Sequence, residues 1–237
     1  MIKGFLGTTL IDYPKKIASI IYISGCNFLC PFCYNKSLVL PAHIETLPDI
    51  SESKILNELL QRQGFIDGIV ITGGEALLWS GLKSFLSLIK SKTDLLIKLD
   101  TNGSLPDRLK SLIDEGLIDY IAMDIKTSFS KYTSLCKVKN IDTKIKKSMK
   151  IIRASNLPFE WRTTIVPNLF KKKDVEDIAQ LLSSRDVYYF QKMAIIAEEI
   201  IDPKILVNIE DFTLIKLKSM IKPILKKNVT VFYRGFD

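Results

Sequence analysis

Three cysteines lie within one short segment, residues 24–35, which reads SGCNFLCPFCYN. Cys26, Cys30 and Cys33 follow the spacing C-x3-C-x2-C. Cysteine thiolates bind zinc and iron–sulfur clusters, and a 4Fe–4S cluster normally takes four of them. Three thiolates leave one iron open to an outside ligand, much as a catalytic zinc keeps an open position. The spacing therefore predicts a 4Fe–4S cluster that binds a small molecule at its open iron.

A structural zinc site is the alternative interpretation of these cysteines. Such a site needs four ligands in a closed tetrahedron. The fourth ligand would have to be Cys136 or His43, which is the single histidine of the chain. Cys136 lies in a polar segment and is more simply interpreted as a free thiol, so the cluster is favoured over zinc.

Further polar residues follow a series of short apolar segments. If these segments are parallel strands, their carboxyl ends meet at one rim, where α/β enzymes carry their active sites. Each polar residue alone fits a turn or an ordinary ion pair, but together with the cysteines they predict one site. The residues are Gly73, Gly74, Glu75, Asp100, Thr101, Asn102, Asp124, Lys126 and Arg162.

The chain alternates between apolar, isoleucine-rich segments and amphipathic segments with helical spacing. This alternation predicts parallel strands with right-handed helical crossovers. It predicts one α/β domain that comprises residues 1–237. A partial, open (β/α)6-type barrel of mostly parallel strands is favoured, and a doubly wound open sheet is the alternative. Residues 41–49 are expected to form a loop. The predicted strands are 16–24, 67–72, 94–100, 118–126, 159–166, 187–193 and 229–234, and the predicted helices are 51–63, 79–91, 105–116, 141–155, 172–184 and 209–221.

The composition limits the class of protein. The chain has 237 residues and a formal net charge of +8, and only six of its 34 basic residues are arginine. Because nucleic-acid recognition relies on arginine, the lysines favour a solvated surface, with a docking face for an acidic protein or a nucleic acid as the alternative. No apolar run approaches the roughly 20 residues of a membrane helix, and no secretory signal is recognisable. We therefore expect a cytoplasmic protein without membrane association, in which thiols stay reduced.

The motifs together resemble those of a known family. The C-x3-C-x2-C spacing after the first predicted strand, with Gly-Gly-Glu after the second, resembles the radical S-adenosylmethionine enzymes. Further motifs, spread over essentially the whole chain, resemble a branch of the glycyl-radical-enzyme activases, the anaerobic ribonucleoside-triphosphate reductase-activating proteins. These motifs are LIDYP (10–14), TGGEALL (72–78), KLDTNGS (98–104), DYIAMDIKT (119–127), WRTTIVPNL (161–169), YYFQKM (188–193) and VFYRG (231–235).

The resemblance implies a reaction. S-adenosylmethionine binds the open iron of a 4Fe–4S cluster, and an electron from a flavodoxin or ferredoxin cleaves it to methionine and a 5′-deoxyadenosyl radical. In activases the radical takes a hydrogen atom from a glycine of a glycyl-radical enzyme, such as an anaerobic ribonucleotide reductase. The same cleavage applied to a small molecule or RNA is the alternative, and a metal-binding protein without catalysis is a more remote one.

The resemblance also implies which residues surround S-adenosylmethionine. Gly73 and Gly74 would allow close backbone approach, and Glu75 would accept hydrogen bonds from the methionine ammonium group. Thr101 and Asn102 lie where contacts to the ribose or the carboxylate are expected.

The remaining candidates are charged. Asp100 and Asp124 would bind a monovalent cation, Na⁺ or K⁺, beside the methionine carboxylate, since hard oxygen ligands suit such an ion. Lys126 and Arg162 would neutralise that carboxylate. Asp12 matches a position near the substrate glycine, so Asp12 and Lys126 are the candidate catalytic residues.

Four residues near the cysteines and the substrate entrance depart from the family pattern. Leu29 stands where many relatives have a basic residue, Tyr34 where histidine is frequent, Ala76 where proline often follows Gly-Gly-Glu, and Lys15 where glycine often follows Tyr-Pro. None of these changes removes a cluster ligand. The departures therefore bear on the identity of the substrate and not on the cleavage chemistry.

Overall fold

The computed structural model describes residues 1–193, 200–206 and 212–236. Within these residues one sheet contains the strands β1 (Ile2–Thr9), β2 (Ala18–Ile23), β3 (Gly68–Gly73), β4 (Leu96–Thr101), β5 (Tyr120–Asp124), β6 (Phe159–Ile165), β7 (Val187–Lys192) and β8 (Thr230–Arg234). The strands are neighbours in chain order. β1 pairs with β2 in antiparallel orientation, and each later pair is parallel.

Helices connect most successive strands. Each longer helix buries one apolar face; on α4, for example, Leu82, Phe85, Leu86 and Ile89 recur at helical spacing and are buried. None of the described helices is long and apolar enough to cross a membrane. The helices are α1 (Lys36–Val39), α2 (Pro41–Ile44), α3 (Glu52–Gln61), α4 (Leu82–Lys92), α5 (Pro106–Asp114), α6 (Phe129–Cys136), α7 (Asp142–Ala154), α8 (Lys172–Leu181), α9 (Leu214–Met220) and α10 (Lys222–Leu225).

The two faces of the sheet have different surroundings, because alternate residues of a strand point to opposite sides. On β3, Ile69 and Ile71 belong to the main apolar core, which also contains the buried faces of the helices. Val70, between them, belongs to a small separate cluster with Ala18 and Ile20 on β2. The main core therefore lies between sheet and helices, and the other face of the sheet is free to form a site.

The predicted fold class is confirmed, since the sheet is open and mostly parallel. The doubly wound alternative is wrong, because its strand order reverses at a switch point and this order does not. All seven predicted strands are present with ends shifted by at most two residues. The predicted helices over 51–63, 79–91, 105–116, 141–155 and 172–184 are present with small shifts at their ends.

β1 is an additional strand that the sequence pattern does not predict. It contains Gly4 and Gly7, and only its first and last residues are buried. Glycine is unfavourable in strands, and the partial burial leaves little alternation to recognise. Antiparallel pairing with β2 stabilises this edge strand.

Two helices also differ from the predictions. The expected loop over 41–49 is wrong at its start, where α2 forms with a proline at its first position; proline suits that position because its missing N–H would have no partner there. α6 is not predicted either, because serine, lysine and threonine make up half of its short sequence. It buries Tyr132 and Cys136, which lie four residues apart on one helix face.

The last predicted helix, 209–221, is described in part. Residues 209–211 lie outside the described residues. Over the remainder, α9 begins after Thr213, whose hydroxyl accepts a hydrogen bond from the amide of Lys216. That N-cap explains the helix start, since it satisfies an amide that has no partner within the helix.

Candidate active site

A cavity of about 680 Å³ lies at the carboxyl ends of the parallel strands, within the usual size range of small-molecule sites. Its lining comes from the loop after β1, from the cysteine loop (residues 24–35) and from every strand from β2 to β8. The sheet therefore curves around the cavity as a partial barrel. The predicted site residues that line it are Asp12, Cys26, Cys30, Cys33, Gly73, Gly74, Asp100, Thr101, Asn102, Asp124, Lys126 and Arg162.

The three cysteines of the loop have raised thiol pKa values. Burial raises the pKa of Cys26 to about 12 and also raises the pKa of Cys33. A hydrogen bond with Cys136, together with burial, raises the pKa of Cys30. These thiols are therefore neutral at pH 7 by themselves, and a bound metal centre would supply the positive charge that ionises them.

The donor set distinguishes between the two metal sites that the sequence suggests. Cys136 is fully buried and does not line the cavity, and His43 is exposed on α2. Within the described part of the chain, no three His, Cys, Asp or Glu side chains surround the position of a single metal ion. Three cavity thiols fit a 4Fe–4S cluster, in which each thiolate binds a different iron, and they do not form a closed zinc site with Cys136 or His43.

Gly73 is the last residue of β3, and Gly74 follows it beside the cysteine loop. Gly73 has a φ angle of +124°, a conformation that L side chains rarely adopt. A Cβ atom at Gly73 would lie 2.3 Å from the carbonyl oxygen of Ile23, and one at Gly74 would lie 2.0 Å from that of Gly25. The two glycines therefore hold the cysteine loop against β3 and also line the cavity.

Glu75 is the predicted site residue that does not line the cavity. Its buried carboxylate accepts hydrogen bonds from Thr101 Oγ1 at 2.8 Å and from the amide of Asn102 at 2.6 Å. Burial raises the pKa of Glu75 to about 7, although these hydrogen bonds favour the charged form. The carboxylate positions the loop after β4, and its contact with a methionine ammonium group stays a prediction.

Asn27 contributes to the site although the sequence analysis does not single it out. Asn102 Nδ2 donates a hydrogen bond to Asn27 Oδ1 at 2.9 Å, and Asn27 Nδ2 donates to Ser104 Oγ at 2.8 Å. These bonds tie the cysteine loop to the loop after β4. The available sequence signal is the position of Asn27 between Cys26 and Cys30.

Charged side chains alternate in sign along the inner ends of β4, β5 and β6. Arg162 donates from Nε to Asp124 Oδ1 at 2.8 Å and from Nη1 to Asp100 Oδ2 at 3.0 Å. Lys126 Nζ lies 2.7 Å from Asp124 Oδ2, and Lys98 Nζ donates to Asp100 Oδ1. We call these five residues, two carboxylates and three cations, the charged network.

Ionisation of the charged network depends on its pairing. Burial opposes the charge on Asp124, but Arg162 and Lys126 outweigh it and hold the pKa of this carboxyl below its usual value. Burial likewise opposes the charge on Asp100, and Arg162 and Lys98 lower its pKa. The pKa of Lys126 is raised, because Asp124 outweighs the effect of burial. Asp100, Asp124, Lys126 and Arg162 are therefore charged at pH 7.

The charged network has one more cation than carboxylates. Lys98 does not line the cavity, and the four members that do, Asp100, Asp124, Lys126 and Arg162, carry two charges of each sign. The two cations among them suit an anionic group of a ligand, such as a carboxylate. Arg162 already bridges Asp100 and Asp124, so the monovalent cation that the resemblance implies beside these carboxylates stays a prediction. Lys98 is not among the predicted site residues. It lies between the apolar Ile97 and Leu99 in β4, and a charge in that position is the available sequence signal.

Asp12 reaches the cavity from the loop after β1. Its carboxylate accepts a hydrogen bond from Thr9 Oγ1. Ile11 also lines the cavity and is 79 % exposed, so this loop forms part of the rim between cavity and solvent. Asp12 thus lies near the rim of the cavity, and its contact with a substrate glycine stays a prediction.

Arg234 is another cavity residue that the sequence analysis does not single out. Its guanidinium donates to both carboxylate oxygens of the buried Glu160, at 3.0 and 3.1 Å, and lies 3.8 Å from the ring centre of Tyr189. Two parallel hydrogen bonds of this kind are strong and geometrically specific. They anchor the edge strand β8 to the inner face of β6 and help to hold the curvature of the sheet.

Comparisons with known proteins agree with this geometry. The model of the radical SAM superfamily matches residues 20–184. The chain is 34 % identical over 196 residues to a Methanocaldococcus jannaschii protein named "Putative glycyl-radical enzyme activating enzyme", a match that covers 81 % of this chain and 79 % of that protein. It is 26 % identical over 163 residues to the 7-carboxy-7-deazaguanine synthase of Clostridium acetobutylicum, covering 68 % of this chain and 71 % of that one.

A solved structure shows the same fold. The crystal structure of SuiB from Streptococcus suis matches with a TM-score of 0.65 and 13 % sequence identity, over 92 % of this chain and 49 % of SuiB. The chain thus spans about half the length of SuiB. The family match and the similar proteins confirm the resemblance to radical S-adenosylmethionine enzymes, which the cysteine spacing and the Gly-Gly-Glu motif indicate. The chain belongs to the radical SAM superfamily.

Proposed function

We propose that the protein activates a glycyl-radical enzyme and that this partner enzyme is an anaerobic ribonucleotide reductase. The observation that carries this proposal is that the three cysteines, most of the charged network and Asp12 line one cavity. When bound, a 4Fe–4S cluster would supply the electron that cleaves S-adenosylmethionine to methionine and a 5′-deoxyadenosyl radical. A glycine of the partner enzyme would then donate the hydrogen atom.

The cysteine loop provides both the ligands and their shielding. Cys26, Cys30 and Cys33 would hold the cluster. Phe28 and Phe32 lie between them in the sequence, are buried and line the same cavity. Their rings exclude water from the thiolates, which strengthens electrostatic interactions there.

The charged network would bind and orient the cofactor. Arg162 and Lys126 line the cavity and offer cationic groups to the methionine carboxylate. Both side chains are already held by Asp100 and Asp124 at 2.7 to 3.0 Å. Their positions are therefore set before the ligand arrives, which avoids a cost of reorganisation on binding.

The activase assignment is supported by the name of the M. jannaschii relative, which matches most of both chains. An activase acts on another protein, so its cavity must be reachable by a segment of a partner. The exposed Ile11 beside Asp12 meets this requirement. We propose a flavodoxin or a ferredoxin as the electron donor.

A small-molecule substrate is the second candidate function. It is favoured by the match to the C. acetobutylicum 7-carboxy-7-deazaguanine synthase, which covers 68 % of this chain. The cleavage of S-adenosylmethionine would be the same, and only the hydrogen donor would differ.

The experiment is an anaerobic assay in two stages. The protein is reconstituted with iron and sulfide, reduced with dithionite and given S-adenosylmethionine, and 5′-deoxyadenosine is measured. An anaerobic ribonucleotide reductase is then added, and its glycyl radical is recorded by electron paramagnetic resonance. We expect 5′-deoxyadenosine in the first stage and a glycyl radical in the second.

Each outcome decides between the candidates. Absence of 5′-deoxyadenosine from an iron-loaded protein contradicts the cleavage reaction itself. Cleavage without a glycyl radical, but accelerated by a purine-like small molecule, favours the second candidate. Cys136→Ala serves as the matched control for Cys30→Ala, because Cys136 contacts Cys30 but does not line the cavity.

A further inference from the structure

Helix α6 packs against the cysteine loop outside the cavity. The amide of Leu29 donates a hydrogen bond to the carbonyl oxygen of Cys136 at 3.0 Å, and the ring of Tyr132 lies 6.1 Å from that of Phe28 in an edge-on arrangement. Neither Leu29 nor Cys136 lines the cavity, whereas the cysteines on either side of Leu29 do. The loop therefore has an outer side, formed by Leu29 and the C-terminal end of α6.

The segment that contains α6 and the start of α7 is rich in unpaired positive charge. Residues 125–150 contain eight lysines, no arginine and one acidic residue, Asp142. Lys137, Lys139 and Lys144 are exposed and form no ion pair with a described residue. We call these three lysines the basic surface.

Three other lysines of the same segment form ion pairs within the fold. Lys126 is paired with Asp124, Lys131 with the buried Asp174 at 2.5 Å, and Lys147 with Asp107 at 2.6 Å. Lys137 and Lys139 lie in the connection between α6 and α7, directly after the residue that bonds to Leu29, and Lys144 lies in the first turn of α7. Lys146 and Lys150, further along α7, are also exposed without an ion pair to a described residue, so the unpaired charge begins at this connection and continues along the helix.

Leu29 adds an apolar contact beside these charges. Its side chain is 43 % exposed and lies between two of the proposed cluster ligands in the sequence. An exposed apolar residue next to charged ones is typical of the centre of a transient interface with a polar rim. Interfaces of redox partners are small, below about 1,200 Å², so few residues are enough.

We propose that the basic surface and Leu29 dock an acidic protein that delivers one electron to the cluster. The proposal rests on the proposed function, since it assumes a cluster at the three cysteines. Electron transfer slows steeply with distance, and the cavity side of the loop is where S-adenosylmethionine and the substrate would bind. The outer side leaves a short route to the cysteines, and lysines steer an acidic partner to it. The donor gives up one electron there, and no atom or proton is transferred.

The test is a binding titration of flavodoxin, followed through its flavin fluorescence, with the cluster-free and the cluster-loaded protein. The variant Lys137→Glu/Lys139→Glu reverses two charges of the basic surface. The matched control, Lys226→Glu/Lys227→Glu, reverses two exposed lysines that precede β8. They lie at the opposite end of the parallel strands from the cysteine loop, because that loop follows the carboxyl end of β2.

We expect the Lys137/Lys139 variant to weaken flavodoxin binding about tenfold or more at low salt, and the control to change it less than about twofold. Added salt should weaken binding of the unchanged protein and reduce the difference, because exposed charges are screened. Far-UV circular dichroism checks the fold, and Lys137→Gln/Lys139→Gln repeats the test with a milder change. Equal weakening by the control, unchanged affinity in both variants, or no binding of flavodoxin or ferredoxin at low salt would overturn the proposal.

A second readout separates this proposal from the proposed function. The rate of cluster reduction is compared between flavodoxin and dithionite, which needs no docking surface. We expect the Lys137/Lys139 variant to slow reduction by flavodoxin and to leave reduction by dithionite unchanged. Failure of S-adenosylmethionine cleavage with dithionite would count against the proposed function alone. Loss of RNA binding in the same variant, with unchanged flavodoxin binding, would instead make this a nucleic-acid surface and overturn the docking proposal.

Discussion

The cysteine loop separates two regions that use charge differently. On its cavity side, the charged network pairs two buried carboxylates with three cations at hydrogen-bond distance. On its outer side, Lys137, Lys139 and Lys144 are exposed and have no ion pair with a described residue. The same types of side chain therefore meet opposite conditions within one small part of the molecule.

The difference follows from solvation. A charge removed from water costs several kcal/mol unless a partner compensates it, so buried charges come in pairs and losing one partner is expensive. An exposed charge keeps its hydration and needs no partner, but its field reaches other molecules over about a Debye length, roughly 8 Å at physiological salt. Mutations on the cavity side should therefore change the stability of the protein and its binding of ligands. Mutations on the outer side should change its association with other proteins.

The largest effect is expected from removing a cysteine of the cavity. Cys30→Ala should abolish iron loading and S-adenosylmethionine cleavage, because two thiolates would remain. Cys136→Ala should retain both, since Cys136 lies outside the cavity. The measurement is the iron content and the 5′-deoxyadenosine production of each variant. Loss of iron in Cys136→Ala would contradict a three-cysteine site.

The next effect is expected from breaking the charged network. Arg162→Met leaves Asp100 and Asp124 without the guanidinium that bridges them, which should lower the free energy of unfolding by about 3–5 kcal/mol. Arg162→Lys keeps the charge and should lose less. Urea unfolding of the cluster-free protein at pH 7 measures both, and equal stabilities of the two variants would show that the charge of Arg162 is not what the carboxylates need.

A smaller effect is expected at Glu75, the buried carboxylate near the cavity that has no ion pair with a described residue. Its pKa is raised by burial from 4.5 to about 7, so the folded state holds its proton more tightly than the unfolded state. The resulting stabilisation is complete below about pH 4.5 and is lost as the pH rises through about 7. In Glu75→Gln this pH dependence should be absent.

The measurement for Glu75 is the free energy of unfolding of both proteins between pH 5 and pH 8. The difference between wild type and variant should shift by a few kcal/mol in favour of the variant as the pH rises. A constant difference over this range would mean that Glu75 titrates at its ordinary pKa. Glutamine cannot accept all the hydrogen bonds that Glu75 accepts, but this loss lowers the stability of the variant by the same amount at each pH. It therefore does not affect the change of the difference with pH.

The smallest effect on stability is expected on the outer side. Lys137→Glu/Lys139→Glu should change the free energy of unfolding by less than about 0.5 kcal/mol, since exposed substitutions without partners rarely do more. The same urea unfolding experiment measures it. A loss comparable with that of Arg162→Met would show that these lysines are paired within the fold, and the contrast between the two sides would fail.

Much of the fold follows from local pattern. Strands such as β3 contain a continuous apolar run, and helices such as α4 have apolar residues at helical spacing, so the sequence pattern predicts both. β1 and α6 escape this reasoning because glycine in one and serine and lysine in the other weaken the pattern. Both are stabilised by tertiary contacts, β1 by pairing with β2 and α6 by burying Tyr132 and Cys136.

The site was predictable as a set of residues but not as a set of contacts. Sequence reasoning places Glu75 and Arg162 at one rim, because the strand ends converge there. It assigns Glu75 to a ligand, which stays a prediction, and it does not foresee the hydrogen bonds that Glu75 accepts from Thr101 and Asn102. It does not find Asn27, Lys98 or Arg234, since single polar residues carry no periodic signal.

The sequence by itself determines the cysteine spacing, the alternation of strands and helices and most residues of the site, because these depend on local residue types and on the geometry of parallel strands. The strand order is decided by the tertiary structure. The tertiary structure alone decides which charges are paired and which remain free. Arg162 meets Asp100 across an intervening strand, and Cys136 reaches the cysteine loop from more than a hundred residues away in the chain. Such contacts depend on how the sheet curves and how helices pack on it, and no short stretch of sequence encodes that curvature.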